Sequence, residues 1–228
     1  MSLSEMMGYE YVIGFPRARD ALAAWCKVTG KKIKIPTNCC EALLPFASEL
    51  VPIDPETGLA PVPVQLYGYR QEFPSAELEI DPLLTGLFGK PFATSVVVSF
   101  GYAKTIDIGG GGGLMTNDAN LYRELRPLEQ WPPILSEPLA HAINSIHARI
   151  MEGKRQYEEI EKQLAAHVDR LPGRPVIPWR FVAKNPTKEA RNRIDYFGYR
   201  TSKNYPPLPG VTDAGAIEWG NKVINIWQ

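Results

Sequence analysis

Cysteine is scarce. The chain of 228 residues has three, Cys26, Cys39 and Cys40. Two are adjacent and no C-x-x-C pair occurs, so neither a disulfide framework nor a structural zinc site is encoded, and no metal is expected. An excess of one charge sign is also lacking. The 25 basic and 25 acidic side chains cancel to a formal net charge of +0, which argues against nucleic acid as a partner. No apolar run approaches the ~20 residues of a membrane span. The opening stretch MSLSEMMGYEYVIG has no basic segment followed by an apolar core. No export signal and no membrane partner are therefore expected, and the thiols suit a cytoplasmic protein. Internal repeats are absent, and the one low-complexity stretch is a run of five glycines, Gly109 to Gly113.

What is present is ordinary for a globular chain, with 44% hydrophobic and 22% charged residues. The 21 prolines bias it toward short elements and rigid loops. Residues 16–30 carry Ala21, Leu22, Trp25 and Val28 at near-helical spacing, with Gly30 as a stop. Short strands are expected at 32–36, 51–54, 62–67 and 78–80, and a helix over 41–50. Ser95–Phe100 is the clearest strand, β-branched and continuous, hence buried on both faces. A long helix is expected from about Pro138 to Val168, on a stripe from Leu139 to Val168 interrupted only by Gly153. Val176–Ala183 resembles a strand, YPPLPG (205–210) must be irregular, and 213–226 predicts a last helix and strand. Alternating strands and helices imply an α/β layered domain over 1–125, with a smaller α+β unit over 126–228.

Asp81 and Ser99 lie at the ends of apolar segments, and Lys104 follows five residues after Ser99. In an open α/β sheet, ligands collect beyond the carboxyl ends of strands. A lysine there loses solvent and its pKa falls, which makes the amine nucleophilic toward an aldehyde. An aspartate at a neighbouring strand end can hold a protonated ring nitrogen, and a hydroxyl with free backbone amides can hold a phosphate. These are the needs of pyridoxal 5′-phosphate (PLP). The plain alternatives are a solvated lysine, a capping aspartate and a mobile glycine loop. The glycine run fits neither G-x-G-x-x-G nor a P-loop.

SFGYAKTIDIGGGGGLMTND (99–118) resembles the cofactor-lysine segment of DegT/DnrJ/StrS-type sugar aminotransferases, fold-type I PLP-dependent enzymes. The matching residues are Ser99, Phe100, Lys104, the glycine run and Thr116-Asn117-Asp118. Further resemblances follow in the same order. PRARDAL (16–22) is similar to the turn that meets the cofactor phosphate, with Ala18 and Arg19 at the contacting positions. PTNCCEAL (36–43) is similar to the segment stacked on the ring, with Cys40 where an aromatic or histidine is usual. VQLYG (64–68), EIDPLL (79–84) and NYPPLPG (204–210) complete the series, and EIDPLL places the pyridinium aspartate at Asp81. Four features depart from the pattern: a short connection from Gly68 to Asp81, Leu84 in place of a glutamine, Gly110 in place of an acid, and no Asn-x-Arg after the lysine segment.

The resemblance implies a fold-type I, PLP-dependent transferase-like three-layer domain with a mainly parallel central sheet, plus a small α+β C-terminal domain. It implies PLP on Lys104, Asp81 as second catalytic residue, and Ser99, Ala18, Arg19 and Cys40 as further cofactor contacts. The expected reaction moves an amino group from an amino-acid donor to a keto group, in this family that of a nucleotide-linked sugar. A homodimer with the site at its interface is expected. The alternative is a degenerate paralogue that binds PLP or a ligand without transamination.

Overall fold

The computed structural model describes residues 2–87, 89–178, 180–203 and 205–228. A short helix α1 (Leu3–Met7) leads into strand β1 (Tyr11–Phe15) and helix α2 (Ala18–Thr29). Then come β2 (Ile33–Pro36), β3 (Ala47–Val51), β4 (Leu78–Ile80), β5 (Ser95–Ser99), β6 (Gly112–Thr116) and α3 (Ala119–Leu125). The remainder forms α4 (Ser136–Asn144), α5 (Ile146–Leu164), β7 (Asp169–Arg170), β8 (Phe181–Lys184), α6 (Lys188–Tyr196), β9 (Arg200–Lys203), α7 (Ala214–Lys222) and β10 (Val223–Trp227).

The central sheet has the order β1-β6-β5-β4. β4 and β5 pair in parallel, while β6 runs antiparallel to both β5 and β1. Three strands therefore point one way and β6 points back. This corrects the expectation of a mainly parallel sheet: two of the three pairings are antiparallel, so the sheet is mixed. The cause is the short β5–β6 connection, which reverses the chain without a crossover helix. The buried valines of β5 serve both faces. Val97 joins Ile13, Leu22, Trp25 and Leu114 beneath α2, whereas Val96 and Val98 pack with Leu3, Ile106, Met115 and Ile146 on the other side.

Helix α2 ends where expected, at a left-handed Gly30 (φ 68°) whose N–H donates to the Cys26 carbonyl. Five other expectations fail for local reasons. The strand expected at 51–54 lies earlier, as β3 (Ala47–Val51), and stops before Pro52, which has no N–H to donate to a ladder. Residues 41–50 form a 3₁₀ turn over Glu41–Phe46 and then β3, because Pro45 cannot donate to a continuing α-helix. Residues 62–67 make one isolated bridge, Val64 to Ile80, flanked by two prolines that lack ladder donors. The long helix is broken at Ser145 (φ −98°, ψ 3°), whose hydroxyl donates back to the carbonyls of His141 and Ala142. The strand expected over 176–183 begins only at Phe181, after Pro178. Trp179 in that segment and Asn204 of NYPPLPG lie outside the described residues.

A second sheet, β7-β8-β10-β9, is antiparallel throughout. Tyr157, Ile160 and Leu164 of α5 and Ile194 of α6 cover it over Phe181, Ala183 and Ile226. The core beneath α2 runs on without a break into Leu171, Val182, Leu208, Trp219 and Val223. Among the described residues, no helix is long and apolar enough to cross a membrane, and no group of three potential metal ligands occurs.

Candidate functional site

A cavity of about 210 Å³ opens where the N-terminus of α2, the 37–43 segment and the carboxyl ends of β4 and β5 meet. Arg17, Ala18, Arg19, Cys40, Ser99 and Lys104 all line it. Five of the six site residues expected from sequence thus converge. The sixth, Asp81, does not line the cavity.

Lys104 sits on a loop closed by its own backbone. Phe100 N–H donates to the Gly111 carbonyl (3.0 Å), and Ile108 N–H to that of Phe100 (3.1 Å). The Asp107 carboxylate accepts from Ala103 N–H (2.8 Å) and Gly109 N–H (3.1 Å), while Thr105 Oγ1 donates to Leu83 O (2.6 Å). Ile106, wholly buried, anchors the loop in the lower core. Burial pushes the Lys104 pKa below the usual lysine value; Cys40 opposes this and the positive charge of Arg180 adds to it. Arg180 itself stacks on Trp227, 4.0 Å from the ring centroid, and donates to Ser202 Oγ.

Across the cavity, α2 presents its N-terminus. The cap residue Arg17 is extended (φ −151°, ψ 154°) and supplies no side-chain cap. Its guanidinium instead turns along the surface to Asp20 (3.0 Å). An uncapped helix N-terminus attracts anions through its amides and dipole, and here Arg17 and Arg19 flank it. The glycine run holds this end in place. Gly111 N–H donates to the Pro16 carbonyl (2.8 Å). A Cβ on Gly112 would lie 2.4 Å from Ala18 N and 2.5 Å from Ala18 Cα, a separation no side chain tolerates. Gly112 and Gly113 belong to β6 itself, so the run is in part a strand rather than only a turn.

The third wall is the 37–40 segment. Asn38, wholly buried, donates to the carbonyls of Ala216 (3.0 Å) and Tyr205 (3.3 Å). This ties the segment to α7 and sets Cys39, Cys40 and Tyr205 along the cavity. Burial, with Cys40 adjacent, pushes the Cys39 thiol up to about 12, so it stays neutral. Burial likewise raises the Tyr205 phenol. Sequence reasoning missed Arg17, Cys39 and Tyr205 as lining residues. The first two adjoin expected contacts, and Tyr205 opens the YPPLPG turn.

Asp81, at the end of β4, is fully buried. Its carboxylate accepts from Thr85 N–H (2.9 Å) and Gly86 N–H (2.8 Å). The residues on either side of it, Ile80 and Pro82, face the cavity. On the Asp81 side lies buried Glu79, which accepts from Gln65 Nε2 (2.7 Å). Arg70 stacks there on Phe92 and donates to the Thr85 and Lys90 carbonyls. Desolvation raises the Asp81 pKa against the two amide hydrogen bonds and Arg70.

The fold is similar to that of solved sugar aminotransferases, among them a DegT/DnrJ/EryC1/StrS aminotransferase. One such enzyme from Brucella abortus superposes with a TM-score of 0.80, covering 98% of this chain and 82% of that one at 16% identity. DesV from S. venezuelae, solved with a ketimine intermediate, gives 0.77 over 98% and 81% at 16% identity. Helicobacter pylori PseC, an aminotransferase of pseudoaminic acid biosynthesis, gives 0.75 over 98% and 83% at 14% identity. No family model and no curated protein sequence matches the chain.

Proposed function

We propose that the chain is a PLP-dependent aminotransferase that passes an amino group from an amino-acid donor to a keto group of a nucleotide-linked sugar. One observation carries the reading. In the fold of sugar aminotransferases, a partly buried lysine of lowered pKa faces an uncapped, arginine-flanked helix N-terminus across a single cavity.

The residues fit two parts of the cofactor. Arg19, the amides at Ala18 and the Ser99 hydroxyl would hold the phosphate, and the Cβ-free approach of Gly112 keeps those amides against the sheet. Lys104 would hold the aldehyde carbon, and Cys40 would lie against the ring. When bound, PLP supplies an electrophilic carbon for the amino group and a ring that accepts electrons. The protein's own work is then mainly that of Lys104. Its amine, neutral at lower pH than an exposed lysine, would be the group that holds the cofactor's aldehyde carbon. Released by an amino donor, the same Nζ would serve as the base for the donor's α-proton. Val64, Leu66, Ile80 and Val97 give the same cavity an apolar wall.

We further propose that residues 1–125 supply the cofactor site and 126–228 the unit that closes over it. A homodimer fits Tyr102 and Ile134, which are 80% and 82% exposed, and the cytoplasm is the compartment proposed for it. The deciding experiment mixes the purified protein with PLP, records the visible band, reduces with borohydride and maps the labelled peptide. Label on Lys104, and loss of the band on adding an amino donor, support the reading. Label elsewhere with none on Lys104 rejects it.

A further inference from the structure

The cavity holds cations and no acid. Its charged lining residues are Arg17, Arg19 and Lys104; among the described residues, no aspartate or glutamate lines it. The four residues outside the described set are Met1, Phe88, Trp179 and Asn204, none of them acidic. Asp81 has both carboxylate oxygens committed to the Thr85 and Gly86 amides and no solvent-accessible surface. Ile80 and Pro82 stand where it would have to emerge. Turning the carboxylate into the cavity would strip two buried amides of their acceptor, which costs about 1–3 kcal/mol for each group left unpaired.

We infer that this chain holds the PLP ring nitrogen unprotonated, and that Asp81 organises the 81–86 turn rather than pairing with the ring. The inference rests on the proposed function. Wherever the ring nitrogen points within the cavity, the surfaces it meets are aliphatic, thiol, hydroxyl or cationic. A ring proton there would meet no carboxylate among the lining residues to accept its hydrogen bond, and desolvation against the aliphatic wall disfavours the charged form. Removal of a bound donor's α-proton would then rest chiefly on the Lys104 amine as base. The ring contributes less as an electron sink, and the donor half-reaction is correspondingly slow.

Two measurements test this, both on the full-length protein loaded with cofactor. PLP isotopically labelled at the ring nitrogen reports protonation through its nitrogen NMR shift. A pyridine-like shift at neutral pH is expected, unchanged in Asp81→Asn. A pyridinium shift in the native protein overturns the inference, whatever the variant shows. The second measurement avoids any folding defect of the variant. The deaza analogue of PLP, with a ring CH in place of nitrogen, should support the donor half-reaction at the rate of PLP itself. A loss on the order of 10²-fold, the usual worth of a positioned proton-transfer group, overturns the inference while leaving Lys104 attachment intact. Absence of borohydride-trapped label on Lys104 removes the proposed function and this inference with it.

Discussion

At the residue scale, charge and burial decide the behaviour of the two sides of the β4 wall. On the cavity side, Lys104 has its pKa lowered by burial first and by Arg180 second. Capture of PLP needs the neutral amine, so its rate should rise with pH to a midpoint below the ordinary lysine value of about 10.4. Arg180→Gln removes a cation, favours the ammonium, and should move that midpoint upward; stopped-flow absorbance across pH checks it, and a midpoint that falls would show Arg180 acting otherwise. On the other side, burial and the nearby Asp81 charge push Glu79 up to about 7. Its unfolded value is near 4.3. A carboxyl raised on folding contributes stability that is fully present below the unfolded pKa and lost as pH rises through the folded one. Glu79→Gln should therefore match the native protein near pH 4 and exceed it above pH 7, by a margin of up to about 4 kcal/mol at ~1.4 kcal/mol per pKa unit. Urea melts at the two pH values give the comparison; equal differences at both would place the titration elsewhere.

At the element scale, the contact between β6 and the start of α2 sets the anion end of the site. Gly112 and Gly113 are neighbours with opposite expectations. A Cβ at Gly112 would sit 2.4 Å from Ala18 N, whereas at Gly113 the nearest atoms are Ile13 O at 3.5 Å and a Val98 methyl at 3.6 Å. Gly112→Ala should force α2 off the sheet, cost about 1–3 kcal/mol as overpacking does, and weaken PLP binding. Gly113→Ala meets only ordinary van der Waals contacts and should bind PLP as the native protein does. Thermal melts and cofactor titration of the two variants distinguish this packing role from that of a spacer, for which both would behave alike. Sequence periodicity located α2, β5, α7 and β10 well, because each has an uninterrupted apolar pattern. It failed over 41–50 and at Ser145, where one proline or one hydroxyl diverts backbone hydrogen bonds that a pattern of apolar residues does not register.

At the scale of the whole molecule, the two sheets share one apolar core that passes from Ile13 and Leu22 to Trp219 and Val223. Residues 1–125 and 126–228 are then expected to unfold together. Tryptophan fluorescence and far-ultraviolet circular dichroism should give coincident urea transitions, and two separated midpoints would show independent folding units. Much of the candidate cavity was legible in the chain: Lys104 after Ser99, the helix start at Ala18 and Arg19, and Cys40 all line it, since each is fixed by its place at an element end. The aspartate was not. Its position at the end of β4 is written in the residues, but the facing of its carboxylate depends on the two amides of the turn that follows and on which neighbour, Ile80 or Pro82, takes the wall. The direction of β6 had the same status, because strand propensity carries no sign and a connection of only 12 residues (100–111) decides the return. The sequence by itself determined the elements with uninterrupted apolar spacing, α2, β5, α7 and β10, and which residues stand at the ends of α2 and β5, because those follow from local hydrogen bonding and apolar periodicity. Only the tertiary structure decided which of those end residues share a cavity and which turn away from it, because that choice is made by packing and by competition for buried backbone donors far along the chain.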